Sequence, residues 1–212
     1  MGTQSRTLSP WLTIWIHPRE TIRRIVDTAP EHQVITLAML AGFAQALSQA
    51  SARNVGDTLS LPVILIVCAM AGPIGGIILL YVSGALLRWM GSWLGGQASS
   101  VEVLAAFAWS SVPNTWAMIL WIPKLALAGK DVFTGTMPRI HANPFLALII
   151  FGFTIVEMVV AVWAFCVLLK CLGEVHRFSV WKALAASFLS GLIVGVPVFC
   201  LLVLLSGLTL TP

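Results

Sequence analysis

Apolar residues fall into five long runs separated by short polar turns. The runs are Val34–Ser51, Leu59–Trp89, Val101–Ile122, Pro144–Leu172 and Val180–Leu205. None alternates apolar and polar residues with a period of two. In hydrocarbon, backbone amides are satisfied only inside a helix or a closed barrel, and run length without alternation selects helices. The pattern therefore predicts an all-α membrane protein with five transmembrane helices. The turns are Asn54–Thr58, Gly91–Ser100, the long segment 124–143 and Gly173–Ser179, with Pro123 and Lys124 ending the third run.

Residues 1–32 precede the first run. Pro18 suits the first turn of a helix that runs to about Thr28, where Pro30 stops it. Ile22, Ile25 and Val26 share one face, and Arg19, Arg23 and Arg24 lie away from it. This spacing predicts a short amphipathic interfacial helix, with Trp11 and Trp15 in the headgroup layer and the arginines toward anionic lipid. The chain then divides into a cytoplasmic segment (1–32), a five-span membrane domain (33–206) and a tail (207–212). No cleavable leader pattern is expected, so the first span serves as the insertion signal.

Composition sharpens this picture. Of 212 residues, 58% are hydrophobic and only 9% charged, against about 25% charged in a soluble domain. So few charges do not cover a water-facing surface, and lipid must be the main solvent. The net charge of +4 follows from Lys and Arg on the cytoplasmic side and is no argument for nucleic acid. With the N-terminus inside, the inner side carries eight cations (Arg6, Arg19, Arg23, Arg24, Arg88, Lys170, Arg177 and Lys182). The outer side carries four: Arg53, Lys124, Lys130 and Arg139. The expected topology is N-terminus cytoplasmic, C-terminus outside. Cys68, Cys166, Cys171 and Cys200 lie in or beside apolar runs without metal spacing, and neither a metal nor another cofactor is expected.

A weak internal repeat is present. Leu86-Leu87-Arg88 before Gly91 resembles Leu168-Leu169-Lys170 before Gly173. Ser100-Val101 before Leu104-Ala105-Ala106 resembles Ser179-Val180 before Leu184-Ala185-Ala186. Both copies read span, inner turn, span. Arg88, Gly95 and Gly96 mark the first inner turn.

Glu157 is the sharpest single signal, standing near the middle of the fourth run. A charge at that depth costs about 2.5–3.5 kcal/mol on insertion scales, so it faces protein or water. Gln45 and Asn114 reach a similar depth, and the three form a candidate intramembrane polar site. Pro73, Pro113 and Pro197 sit near mid-span and predict kinks that free the carbonyls of Ala69, Trp109 and Ile193. Gly72 and Gly76, and Gly191 and Gly195, have the four-residue spacing of close helix packing. No hydrolase elbow, zinc-protease or nucleotide-loop motif occurs, and no enzyme is expected.

The stretches WLTIWIHPRETIRR (11–24) and WLGGQASSVEVLAAFAWSSVP (93–113) resemble short prokaryotic members of the Yip family, the Ypt/Rab GTPase-interacting proteins. The matching positions in the second are Gly95, Gly96, Glu102, Ser111 and Pro113. The resemblance implies five spans with a cytoplasmic N-terminus, here in a bacterial inner (plasma) membrane. Eukaryotic relatives act in vesicle traffic and bind GTPases through a long N-terminal region. Only about 32 residues stand there in this chain, so GTPase binding is not carried over. Two functions are then in play. One is a non-enzymatic membrane-organising or interaction protein that self-associates or binds other membrane proteins. The other is a small permease, channel or lipid-moving protein using the polar layer around Glu157.

Overall fold

A computed structural model describes residues 9–193 of the chain. Among them, the structure is helical with no strands. Helices α1 (Pro10–Ile16) and α2 (Pro18–Thr28) precede α3 (Val34–Ala52) and α4 (Leu61–Trp93). Next come α5 (Ser100–Ser110), α6 (Val112–Ala117), α7 (Trp121–Ala128) and the short α8 (Pro138–Ala142). They are followed by α9 (Pro144–Val175) and α10 (Val180–Ile193). Among the described residues, four helical stretches are long and apolar enough to cross a membrane: Val34–Ala52, Leu61–Trp93, Ser100–Phe133 and Pro144–Val175. The fifth predicted run continues past Ile193, outside the described residues, as do Gly195 and Pro197.

The third stretch extends further than its sequence pattern indicated. Pro123 does not end it, because it falls in the first turn of α7, where its missing N–H has no intrahelical partner to lose. A 3-10 segment, Gly129–Phe133, then carries the chain to its turn. The expected loop 124–143 is thus helical in its first half, and Lys124 lies on a helix. The first inner turn likewise starts later than expected, because α4 persists to Trp93.

Helix α4 buries Ile64, Cys68, Gly72, Gly76, Leu80 and Gly84, one row at four-residue spacing. Such a row is a ridge that fits the groove of a neighbouring helix. Its partner is α3. A Cβ built on Gly42 would lie 2.5 Å from the Gly76 Cα, and one built on Gly72 would lie 2.8 Å from the Phe43 Cα. The seam is therefore backbone against backbone, within one chain. Helix α4 runs unbroken through Pro73. A Cβ built on Gly191 of α10 would meet nothing within 4 Å among the described residues.

Buried side chains form two clusters. One lies toward the α2 end and includes Ile14, Ile22, Leu37, Leu87, Trp109 and Leu172. The other lies toward the α8 end and includes Leu47, Ile64, Trp121, Phe133 and Ile140.

The N-terminal helices dock onto the first cluster. Ile22 and Ile25, on the apolar face of the predicted amphipathic helix, are buried where α2 meets α5 and α9. Arg23 Nε donates to Glu174 Oε1 at 2.6 Å, and Trp11 packs edge-on against Trp109 with centroids 6.1 Å apart. Ile14 of α1 and Ile22 and Ile25 of α2 thus share the first buried cluster.

The two inner turns share one backbone geometry. Gly96 N donates to Gly91 O at 2.8 Å and Gly95 N to Ser92 O at 3.0 Å. Phe178 N donates to Gly173 O at 3.0 Å and Arg177 N to Glu174 O at 3.2 Å. This paired closure of a helix C-terminus needs a left-handed residue. Gly95 has φ 84° and Arg177 φ 57°. The next helix starts from Ser99 in the first turn and Ser179 in the second, each accepting from a backbone N–H four residues on. The structural equivalent of Ser179 is therefore Ser99, one residue before the pairing suggested by sequence. The left-handed state costs a side chain about 1 kcal/mol that glycine avoids. Gly95→Ala should thus lower stability by about that amount and Arg177→Gly should raise it. Thermal melts in detergent that shift in the same direction for both would contradict this.

Candidate functional site

Between the two clusters lies a partly open cleft of about 610 Å3, walled by α3, α4, α5 to α7 and α9. Gln45 of α3, Asn114 of α6 and Glu157 of α9 all line it. Gln45 and Asn114 are exposed on its wall, whereas Glu157 is about three-quarters buried by side chain. Trp121 and Thr154 face the same space.

The decisive contact comes from a residue that the sequence placed outside. Lys124 Nζ donates to Glu157 Oε2 at 2.6 Å, and the lysine side chain is only 6% exposed. The ammonium also lies 5.3 Å from the Trp121 ring centre, within range of the ring's negative face. Glu157 Oε1 is buried without a hydrogen-bond partner. A buried ion pair gains little over an apolar pair, but losing one partner strands a charge. The signal available in sequence was the apolar stretch Leu125–Ala128 after Lys124, which continues the run beyond Pro123.

The bend beneath the cleft is built by Pro113. Lacking an N–H, it ends α5 at Ser110, and it occupies the first turn of α6. Ser110 Oγ donates to Phe107 O at 2.7 Å and Ser111 Oγ to Ala108 O at 2.7 Å. The Ser111 N–H donates to Ala108 O at 3.1 Å. Among the described residues, no three His, Cys, Asp or Glu side chains converge as a metal-holding group.

A second buried polar group escaped the sequence reading. His176 follows α9 and is 2% exposed. Its ring stacks on Phe178 at 5.0 Å between centroids, and neither ring nitrogen has a partner. Gly91 and Gly96 make room for it, since a Cβ on Gly91 would lie 2.5 Å from Nε2 and one on Gly96 would lie 2.8 Å from Cγ. The imidazole thus joins the two inner turns. Burial holds its pKa below the usual value, with Glu102 opposing in part. A histidine that binds its proton less readily folded than unfolded stabilises fully above the unfolded value of about 6.5. Stability is lost as pH falls from there toward the folded value. The melting temperature should be flat between pH 8 and pH 7 and fall on acidification below about 6.5. His176→Gln should lack this fall, and an identical profile in the variant would refute the assignment.

The Yip1 domain family profile matches residues 12–204, nearly the whole chain. The chain belongs to the Yip1 domain family. No curated protein and no solved structure shows a significant match. The Yip1 match begins within α1 and takes in all of α2. It also contains both inner turns and the Lys124–Glu157 pair.

Proposed function

We propose that this Yip1-domain protein is a non-enzymatic membrane-organising or interaction protein, acting through its outer faces. The observation that carries this reading is the Lys124–Glu157 pair. It engages the mid-depth carboxylate in fastening α7 to α9. That weakens the alternative of a permease or lipid-moving protein, in which Glu157 would serve passing substrate. The outer faces of α4 and α9 present Ile66, Met70, Ile74 and Ile78, and Leu148, Phe151, Ile155 and Val159. These side chains meet lipid and offer surfaces to other membrane helices.

The reading includes a bacterial inner membrane with the N-terminus cytoplasmic. Charge supports that orientation. With Lys124 paired inside the bundle, the outer side keeps three cations, Arg53, Lys130 and Arg139, against eight on the other. Crosslinking in native membranes at native expression should return a homo-oligomer or one reproducible partner. Recovery of monomer alone, together with lipid, proton or metal-ion flux in proteoliposomes that Glu157→Gln abolishes, would overturn the proposal in favour of transport.

A further inference from the structure

A second crevice, of about 700 Å3, opens between α4 and α5 at the end of the bundle bearing the inner turns. The two helices meet at Gly84, where the Leu104 side chain occupies the place of a Cβ. The crevice is zoned. Tyr81, Ala85 and Leu104 line its apolar part, with Tyr81 and Ala85 exposed, and Arg88, Trp89 and Ser100 line its polar part. Tyr81, Ala85 and Arg88 follow one face of α4, and seven residues of helix span about 10 Å. Along the helix axis the Tyr81 Cα therefore lies about 10 Å from that of Arg88.

The polar part has the chemistry of a headgroup layer. Trp89 and Trp93 pack edge-on with centroids 5.2 Å apart, and both are exposed, as tryptophans at a membrane interface are. Arg88 takes part in neither ion pair found among the described residues. Its guanidinium has the fork geometry that grips a phosphate with two hydrogen bonds. The nearby carboxylate of Glu102 is turned to its own helix start, accepting from Ser99 N at 2.6 Å, and does not line the crevice. The matching cation of the second turn is already engaged: Lys170 Nζ lies 5.9 Å from the Trp163 ring centre. The two turns thus share a backbone but not a binding surface.

We propose that this crevice binds one anionic glycerophospholipid, its phosphate on Arg88 and its upper acyl chain along Tyr81, Ala85 and Leu104. A cation at one end of an apolar strip fits that amphiphile and disfavours both a soluble anion and a zwitterionic lipid. The test is native mass spectrometry of the full chain released from detergent, with added phosphatidylglycerol or phosphatidylcholine. One phosphatidylglycerol adduct should persist in preference to phosphatidylcholine. Arg88→Gln should reduce its occupancy about tenfold, the scale of one charged hydrogen-bonded contact, and Arg88→Lys should reduce it less. Ala85→Trp, which fills the apolar part and leaves the charge, should also remove it, while Lys170→Gln should not. The proposal fails if both lipids bind wild type equally, or if Arg88→Gln keeps wild-type occupancy. It also fails if Lys170→Gln loses the adduct as fully as Arg88→Gln, or if glycerol phosphate displaces the lipid at equal concentration.

Discussion

Lys124→Met is expected to destabilise the bundle by about 3 kcal/mol, the lower end of the cost of stranding one member of a buried ion pair. The lysine is almost wholly enclosed, and its ammonium bonds Glu157 at 2.6 Å. Without it the carboxylate has no cation nearby, and its Oε1 already lacks a partner. Glu157→Gln alone should be comparably harmful, since it leaves the buried ammonium without a counter-charge, facing only a neutral amide and the Trp121 ring. The double variant Lys124→Met with Glu157→Gln should recover most of the loss, because replacing both charges by neutral groups of similar shape is often close to neutral. Unfolding free energies of the four proteins in mixed micelles give the coupling directly. Strictly additive losses would mean that the two residues do not hold each other, and that Glu157 has some other role in the cleft.

Gly76→Ala should weaken the α3–α4 seam by 1–3 kcal/mol or more, the range for overpacking a tight interface. The added methyl would press on the Ala38 carbonyl and lie 2.8 Å from the Gly42 Cα. Backbone cannot turn aside as a flexible side chain can, so the helices must separate along their contact. Its neighbour supplies the control. Gly75 has nothing within 4 Å, and Gly75→Ala should stabilise α4 by up to about 1 kcal/mol through helix propensity. The comparison separates interhelical packing from glycine content, since both variants remove one glycine from the same turn. Equal melting temperatures for the two would show that the seam tolerates a Cβ.

Several elements were legible before any fold was known. The ends of α2 follow Pro18 and Pro30, whose rings set where a helix starts and stops. The extents of α3 and of much of α4 and α9 follow from run length. Glu157 stood out because a carboxylate within a long apolar run is rare. Its partner was hidden for a specific reason. Lys124 follows a proline, and a proline beside a cation reads as the end of a span. A proline in a helix's first turn is sterically harmless, however, and only the path of α7 shows which case applies. The docking of α2 was hidden differently, since an amphipathic face is equally satisfied by lipid and by other helices.

His176 shows the same division. A lone histidine after a helix end gives no sign of burial, and the space it occupies is made by Gly91 and Gly96, some 80 residues earlier. Glycine spacing in α4 announced a close approach but did not name α3 as the partner, because small-residue stripes serve contacts within and between chains alike. The sequence by itself determined the solvent, the helical class, most span positions and the family, all of which depend on local hydrophobicity and short motifs. The tertiary structure alone decided which charge Glu157 meets, which face α2 covers, and how the two inner turns lock around one imidazole. Those outcomes depend on distances between residues far apart in the chain, which periodicity along a single helix does not encode.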